Sequence, residues 1–343
     1  MKILLIGNHL SGPGFNRGAW HEIADHLRAV GHTVITTSAR VNKAARLADM
    51  LTTIILRRYD YQIAQIDVFS GSAFVFAECC GAALKALHKP FLLTLHGGNL
   101  PEFARKHPAR VGRLLRTAAA VTTPSRYLQE KMASYRPGLI LIPNPLGIAA
   151  YPYQVRAHPQ PSLMWLRAFH AVYHPELAVE VLSRLTTDFP NVSLAMVGPD
   201  KGDGSFQRTQ ARAAVLGVSD HIRLTGGVSK ISVPGTLAKG DIFLNTTNID
   251  NTPVSVMEAM ACGLCVVSTY VGGLPYLLED GVDALLVPPD DPEAMAAAVR
   301  RVLTEPGLAE KLSVNARRKA EGFDWAVILP QWEKLFVAEM KNV

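Results

Sequence analysis

The chain has 343 residues, more than one hydrophobic core usually holds, so two domains are expected. Apolar residues make up 48%, which excludes an intrinsically disordered chain, and no run of about 18 apolar residues offers a membrane span. The net charge of +6 is uneven: residues 1–150 carry 18 Lys and Arg against 8 Asp and Glu, a balance of +10, and the remainder carries 17 against 21, a balance of −4.

The opening MKILLIGNHL is too short and too soon polar for a signal peptide, so a cytoplasmic, soluble protein is expected. KILLIG reads as a strand, the polar NHLSGPGFNRG as a loop, and AWHEIADHLRAVGH as an amphipathic helix stopped by Gly31. HTVITTS is a second strand, followed by a basic helical stretch near 40–58. YQIAQIDVF, PFLLTLHG, AAVTTPS and LILIPNP are further strands. Short all-apolar strands separated by helices indicate a parallel sheet covered on both faces.

The pattern restarts after the Pro-rich joint AAYPYQVRAHPQP (149–161). PSLMWLRAF, VSLAMVGP, IRLTGG, DIFLNTT, CVVST and ALLVP are six strands with helices between them. The expected architecture is α/β, with two facing Rossmann-like doubly wound parallel-sheet domains and a cleft between them. In such sheets ligands bind outside the strand C-terminal ends. The final FDWAVILPQWEKLFVAEM has helical spacing and could pack on either domain.

Cys262 and Cys265 form a CxxC, but Cys262 ends a helix and Cys265 begins a strand. A redox pair needs its first Cys at a helix N-terminus, so structural thiols in a reducing compartment are expected.

Several loops carry candidate chemistry. Gly12, Gly14 and Gly18 follow the first strand, where glycine lets backbone amides approach a phosphate. The spacing departs from GxGxxG and the second strand ends without an acid for a ribose, which argues against hydride chemistry. His96 closes the strand LTLHGG and faces ligand space beside a Gly pair. Arg167 closes MWLRAF, where it can fork onto a diphosphate or pair with Glu176. Gly227 and Val228 offer a backbone edge to a planar base.

In NIDNTPVSVMEAMACG (248–263), Thr252 suits an N-cap and Pro253 the first helical position. The amides at 253–255 would bind phosphate, with Val254 among them. Asp250 precedes this helix and Glu258 lies about one and a half turns in. Each carboxylate presents two oxygens suited to a pair of sugar hydroxyls. A ligand with a sugar at each end of a diphosphate satisfies both: a nucleotide sugar.

DNTPVSVMEAMACGLCVVSTYVGGLP resembles the donor-site signature of retaining glycosyltransferase family 4, of the GT-B fold, E-x7-E followed by AMA-x-G-x-PVV and VGG. Supporting likeness runs over nearly the whole chain, in the Gly loop, HGG, SRYLQEKM, IPNPLG, the Arg strand, MVGPDKGDG and the closing aromatic helix. The resemblance implies domains at 1–150 plus 324–343, on the acceptor side, and at 151–323, on the donor side. It implies that Glu258 binds the nucleotide ribose, Asp250 and His96 the transferred sugar, and Thr252–Val254 the phosphates or sugar. Arg167 would neutralise the departing phosphate and Gly14 would approach it. The family's usual Lys after the Arg is missing. His174 or Lys230 could supply that charge, and Asp250 is one methylene shorter than the usual Glu.

The expected activity is metal-independent, retaining transfer of a hexose from a UDP- or GDP-type donor, with no cofactor. A nucleotide-sugar epimerase, a sugar phosphorylase and a non-catalytic nucleotide-sugar-binding protein are the alternatives. The expected partners are the donor and a glycan or lipid-linked acceptor, not nucleic acid. A basic helix over 104–117, with Arg105, Lys106, Arg110, Arg113 and Arg116 opposite Val111, Leu114 and Leu115, could lie on an anionic membrane. The protein would then be peripheral at the membrane's inner face.

Overall fold

The structure, a computed structural model, describes residues 1–8 and 19–341. It divides the chain into two compact units, Met1–Pro145 with Trp325–Val343, and Leu146–Asp324.

In the first unit, β1 (Lys2–Ile6), β2 (Thr33–Thr37), β3 (Ile63–Val68), β4 (Phe91–Leu95), β5 (Ala120–Thr123) and β6 (Ile140–Leu141) form one parallel sheet in the order β2-β1-β3-β4-β5-β6. Strands β3, β4 and β5 are buried along their whole length because both faces of the sheet are covered. Leu4, Ile66 and Leu93 point into one core, while Ile3, Leu5 and Leu92 point into the other. The helix Trp325–Lys341 belongs to this unit and fills the second core with Ile328, Trp332 and Phe336. Trp325 stacks on His26 at 3.9 Å and His32 Nε2 lies 2.9 Å from Glu333 Oε1.

In the second unit, β7 (Ser162–Leu166), β8 (Ser193–Val197), β9 (Ile222–Gly226), β10 (Ile242–Asn245), β11 (Cys265–Thr269) and β12 (Ala284–Val287) pair in parallel in the order β12-β11-β10-β7-β8-β9. The strand order reverses between β7 and β10, the switch point at which a doubly wound sheet opens a crevice. In the first unit the reversal falls between β1 and β3.

Three expectations need correction. The second unit begins at Leu146, not 151, because Leu146 N donates to Phe323 O at 2.8 Å and Ile148 N to Asp324 Oδ2 at 3.1 Å. Entry and exit segments are thus tied inside one unit, and Asp324 falls with it. The helix expected over 104–117 is two helices, Leu100–Lys106 and Pro108–Thr117. Pro108 disfavours helical backbone at the residue before it, and His107 takes φ −132°, ψ 54°. Finally, Val111, Leu114 and Leu115 are buried in the core and Arg110 pairs with Glu78. That apolar face therefore cannot lie on a membrane. Among the described residues, no helix is long and apolar enough to cross one.

The four cysteines are free, and Cys80, Cys262 and Cys265 are buried. Burial pushes each of these three thiols up to about 12, so they stay protonated at neutral pH and poor as nucleophiles. Titration of the native protein with a bulky thiol reagent near pH 8 is expected to modify no more than Cys79. All four cysteines should react in denaturant.

Candidate active site

Arg167 leaves β7 at the switch point, its backbone N–H donating to Val197 O at 3.0 Å. The next strand end can approach only because residue 198 is glycine: a Cβ there would stand 1.6 Å from Arg167 O. The Arg167 guanidinium donates through Nη2 to Asp250 Oδ2 and lies 4.5 Å from the centre of the Tyr173 ring. Burial lowers its pKa, and the nearby Tyr173 and Glu258 oppose that shift. An arginine keeps its charge through such a change. Glu176, the competing partner, pairs instead with Arg208 at 2.8 Å.

Beyond β10 the polar loop is tightly held. Trp165 Nε1 donates to Thr246 Oγ1 at 2.9 Å, Asn248 N to Val172 O at 2.8 Å, and Asn251 N to Asp250 Oδ1 at 2.8 Å. Gly273 N donates to Asp250 O at 3.0 Å. A Cβ at Gly272 would stand 2.1 Å from Asp250 O, and one at Gly273 1.9 Å from Asn251 O. The VGG sequence at 271–273 is therefore a packing requirement that sets where Asp250 lies.

The following helix is Val254–Ala261, with Pro253 as N-cap in extended conformation (φ −69°, ψ 118°) and no side-chain cap. The expected Thr252 cap with Pro253 inside the helix is thus one residue early. Pro253 keeps Thr252 out of the helical region and carries no N–H to offer a phosphate. The first intrahelical bonds run from Val256 N and Met257 N to Pro253 O. The amides ahead of that ladder are those of Val254 and Ser255. Two buried donors nearby have no acceptor, Ser255 Oγ and Arg167 Nε.

Glu258 is 4% exposed, inside an otherwise apolar helix. Its Oε1 accepts from Tyr151 Oη at 2.8 Å and from Lys230 Nζ at 2.7 Å. Lys230 opens a short turn, Lys230–Ser232, a few residues after β9. Gly227 lies exposed just before it, and Val228 packs against the core beneath the Val254–Ala261 helix. His174, the other candidate cation, has Nδ1 2.9 Å from Asp290 Oδ1.

Arg167, Lys230, Asp250 and Glu258 thus form one cluster in the second unit. Tyr151, Tyr173 and Ser255 complete it, none of them singled out from sequence. Tyr151 is 107 positions from Glu258 in a segment that reads as a joint, and carries no local signal.

His96 belongs to the first unit, at the end of β4. Its Nε2 lies 3.1 Å from Asp67 Oδ1 and its ring stacks on Phe69 at 5.0 Å. Asp67 also accepts from Gln65 Nε2 at 3.0 Å. A cavity of about 290 Å3 opens here, lined by Gly7, Arg46, Asp67 and Phe69 among others. Gly12 and Gly14 lie outside the described residues.

Residues 155–319 match the family model described as glycosyl transferases group 1. The second unit is thus similar to the glycosyl transferases group 1 family. Arg167, Lys230, Asp250 and Glu258 fall inside the matched residues, whereas Tyr151 and His96 do not. The chain is 31% identical over 169 residues to a D-inositol 3-phosphate glycosyltransferase of Geodermatophilus obscurus, covering 48% of this chain and 37% of that protein. It is thus similar to little more than a third of that relative's length. A GDP-mannose-dependent alpha-(1-6)-phosphatidylinositol monomannoside mannosyltransferase of Mycolicibacterium smegmatis is 26% identical over 289 residues, covering 77% of this chain and 72% of that one.

Among solved structures, sucrose-phosphate synthase of Thermosynechococcus elongatus matches with a TM-score of 0.82 at 17% identity, covering 99% of each chain. HepE of Anabaena, in complex with UDP and glucose, matches with a TM-score of 0.78 at 17% identity, over 98% of this chain and 100% of its own. At such identities the likeness establishes the fold, and the fold is GT-B.

Gly273→Ala forces a methyl group onto the Asn251 carbonyl and should cost about 1–3 kcal/mol by overpacking. Urea unfolding measures it; an unchanged midpoint would mean that the loop yields without cost.

Proposed function

We propose that the protein transfers a hexose from a nucleotide diphosphate sugar to an acceptor hydroxyl, with retention, in glycolipid or polysaccharide assembly. The observation that carries this reading is the pair of buried donors, Ser255 Oγ and Arg167 Nε, beside the uncapped amides of Val254 and Ser255. Buried donors without acceptors are costly, and phosphate oxygens at a helix N-terminus satisfy them. Glu258 supplies the carboxylate for a ribose diol, and the Gly227–Val228 edge takes the base. Asp250, paired with Arg167, contacts the hexose.

The leaving group departs as the bond from the anomeric carbon to the β-phosphate oxygen breaks and the bond to the acceptor oxygen forms. Arg167 and the helix amides stabilise the charge developing on that phosphate. The acceptor's proton passes to the leaving phosphate oxygen, so bond making and breaking occur on one face and configuration is retained. No resident metal is assigned a part, and no three ligating side chains converge among the described residues.

The mannosyltransferase relative is named for a GDP-mannose donor and HepE was crystallised with UDP and glucose, which supports a GDP- or UDP-sugar. Relatives named for inositol phosphate and phosphatidylinositol mannoside support a phosphorylated or lipid-linked acceptor. The +10 balance over residues 1–150 supports binding such an anion or an anionic membrane. Four free thiols support a cytoplasmic setting.

A panel of UDP-, GDP- and ADP-sugars should yield one class that raises the melting temperature. Arg167→Ala should then lower turnover about 100-fold or more, in line with loss of a leaving-group stabiliser, without loss of fold. Wild-type turnover in that variant would remove Arg167 from the reaction. Epimerised donor, or tight donor binding with no transfer to any acceptor, would overturn the transferase reading.

A further inference from the structure

The two donors on Glu258 Oε1 are unequal. Tyr151 is 5% exposed and packs in the core with Leu146 and Ile148, so its phenol is fixed. Lys230 has a side chain 37% exposed and reaches the same oxygen on a flexible stem from a surface turn. Tyr151 holds that oxygen from the core side. Lys230 is the exchangeable partner.

The charges around the site point the same way. Arg167 with Asp250 and Lys230 with Glu258 make two cations and two anions, a neutral cluster. A diphosphate brings at least two negative charges, and Arg167, with its Nη2 on Asp250, is a single cation against them. His174 is turned to Asp290. Of the cations in the cluster, only Lys230 is both half-exposed and held by a group that the ligand itself would occupy.

We propose that Lys230 is a ligand-exchanged cation: the ribose diol takes Glu258, and the released ammonium moves onto the diphosphate. This rests on the nucleotide-sugar reading above and adds a coupling to it. A nucleoside lacking phosphate must displace the ammonium with no new partner to receive it. A nucleoside diphosphate supplies that partner in the same molecule. The exchange thus favours diphosphate-bearing ligands over nucleosides more than either contact alone, and it draws the second cation to the leaving group only when a nucleotide is bound.

The test is calorimetric binding of UDP, GDP and ADP, and of uridine, guanosine and adenosine, to the full chain as wild type, Lys230→Met and Lys230→Gln. Thermal melts verify the fold of each. Loss of one charge-assisted contact is worth about tenfold in affinity. Both variants should bind the preferred diphosphate about tenfold more weakly and the matching nucleoside no more weakly, or more tightly, than wild type. If both ligands weaken together, Lys230 merely holds Glu258 in place and the exchange is wrong. If neither changes, Lys230 stays out of the site and the exchange is again wrong. Wild type that binds none of the three diphosphates overturns the nucleotide-sugar reading, and the exchange with it.

Discussion

A carboxylate buried inside an apolar helix costs free energy unless donors surround it, and Glu258 has a phenol and an ammonium on one oxygen. The site in the second unit is organised around this burial. Arg167 meets the same demand through Asp250 and the Tyr173 ring. Each charge is therefore held by an opposite one, and the cluster is neutral as it stands.

The scaffold explains why these groups meet. Parallel strands end together, and the reversal between β7 and β10 brings the end of one beside the loop after the other. Glycines at 198, 272 and 273 let backbones approach where any side chain would collide, fixing Arg167 and Asp250 from behind. A rigid support of this kind lets few polar groups act with defined geometry. Solved proteins with 17% identity share the fold, so the fold does not identify a substrate, and the side chains at the strand ends must do so.

Much of this was legible in the sequence. The positions of all twelve strands described were marked, most of them by short runs rich in apolar residues, because burial on both faces removes the need for polar alternation. Arg167, Asp250 and Glu258 stood out as charges at strand ends or inside an apolar run. What escaped was set by longer-range geometry. The Tyr151 phenol and the Ser255 hydroxyl gain meaning only once the chain has folded around Glu258. Proline suits the first helical position by residue type, so the sequence does not reveal that Pro253 is the cap. A basic amphipathic pattern over 104–117 read as a surface helix, yet its apolar face is the core of the first unit and Pro108 divides it.

The most direct measurement is a crystal structure of the protein with the nucleoside diphosphate that it binds best. The account predicts the ribose hydroxyls on Glu258 and phosphate oxygens on the Val254 and Ser255 amides and the Arg167 guanidinium. A nucleotide bound away from the Val254–Ala261 helix, with those four groups untouched, would contradict it.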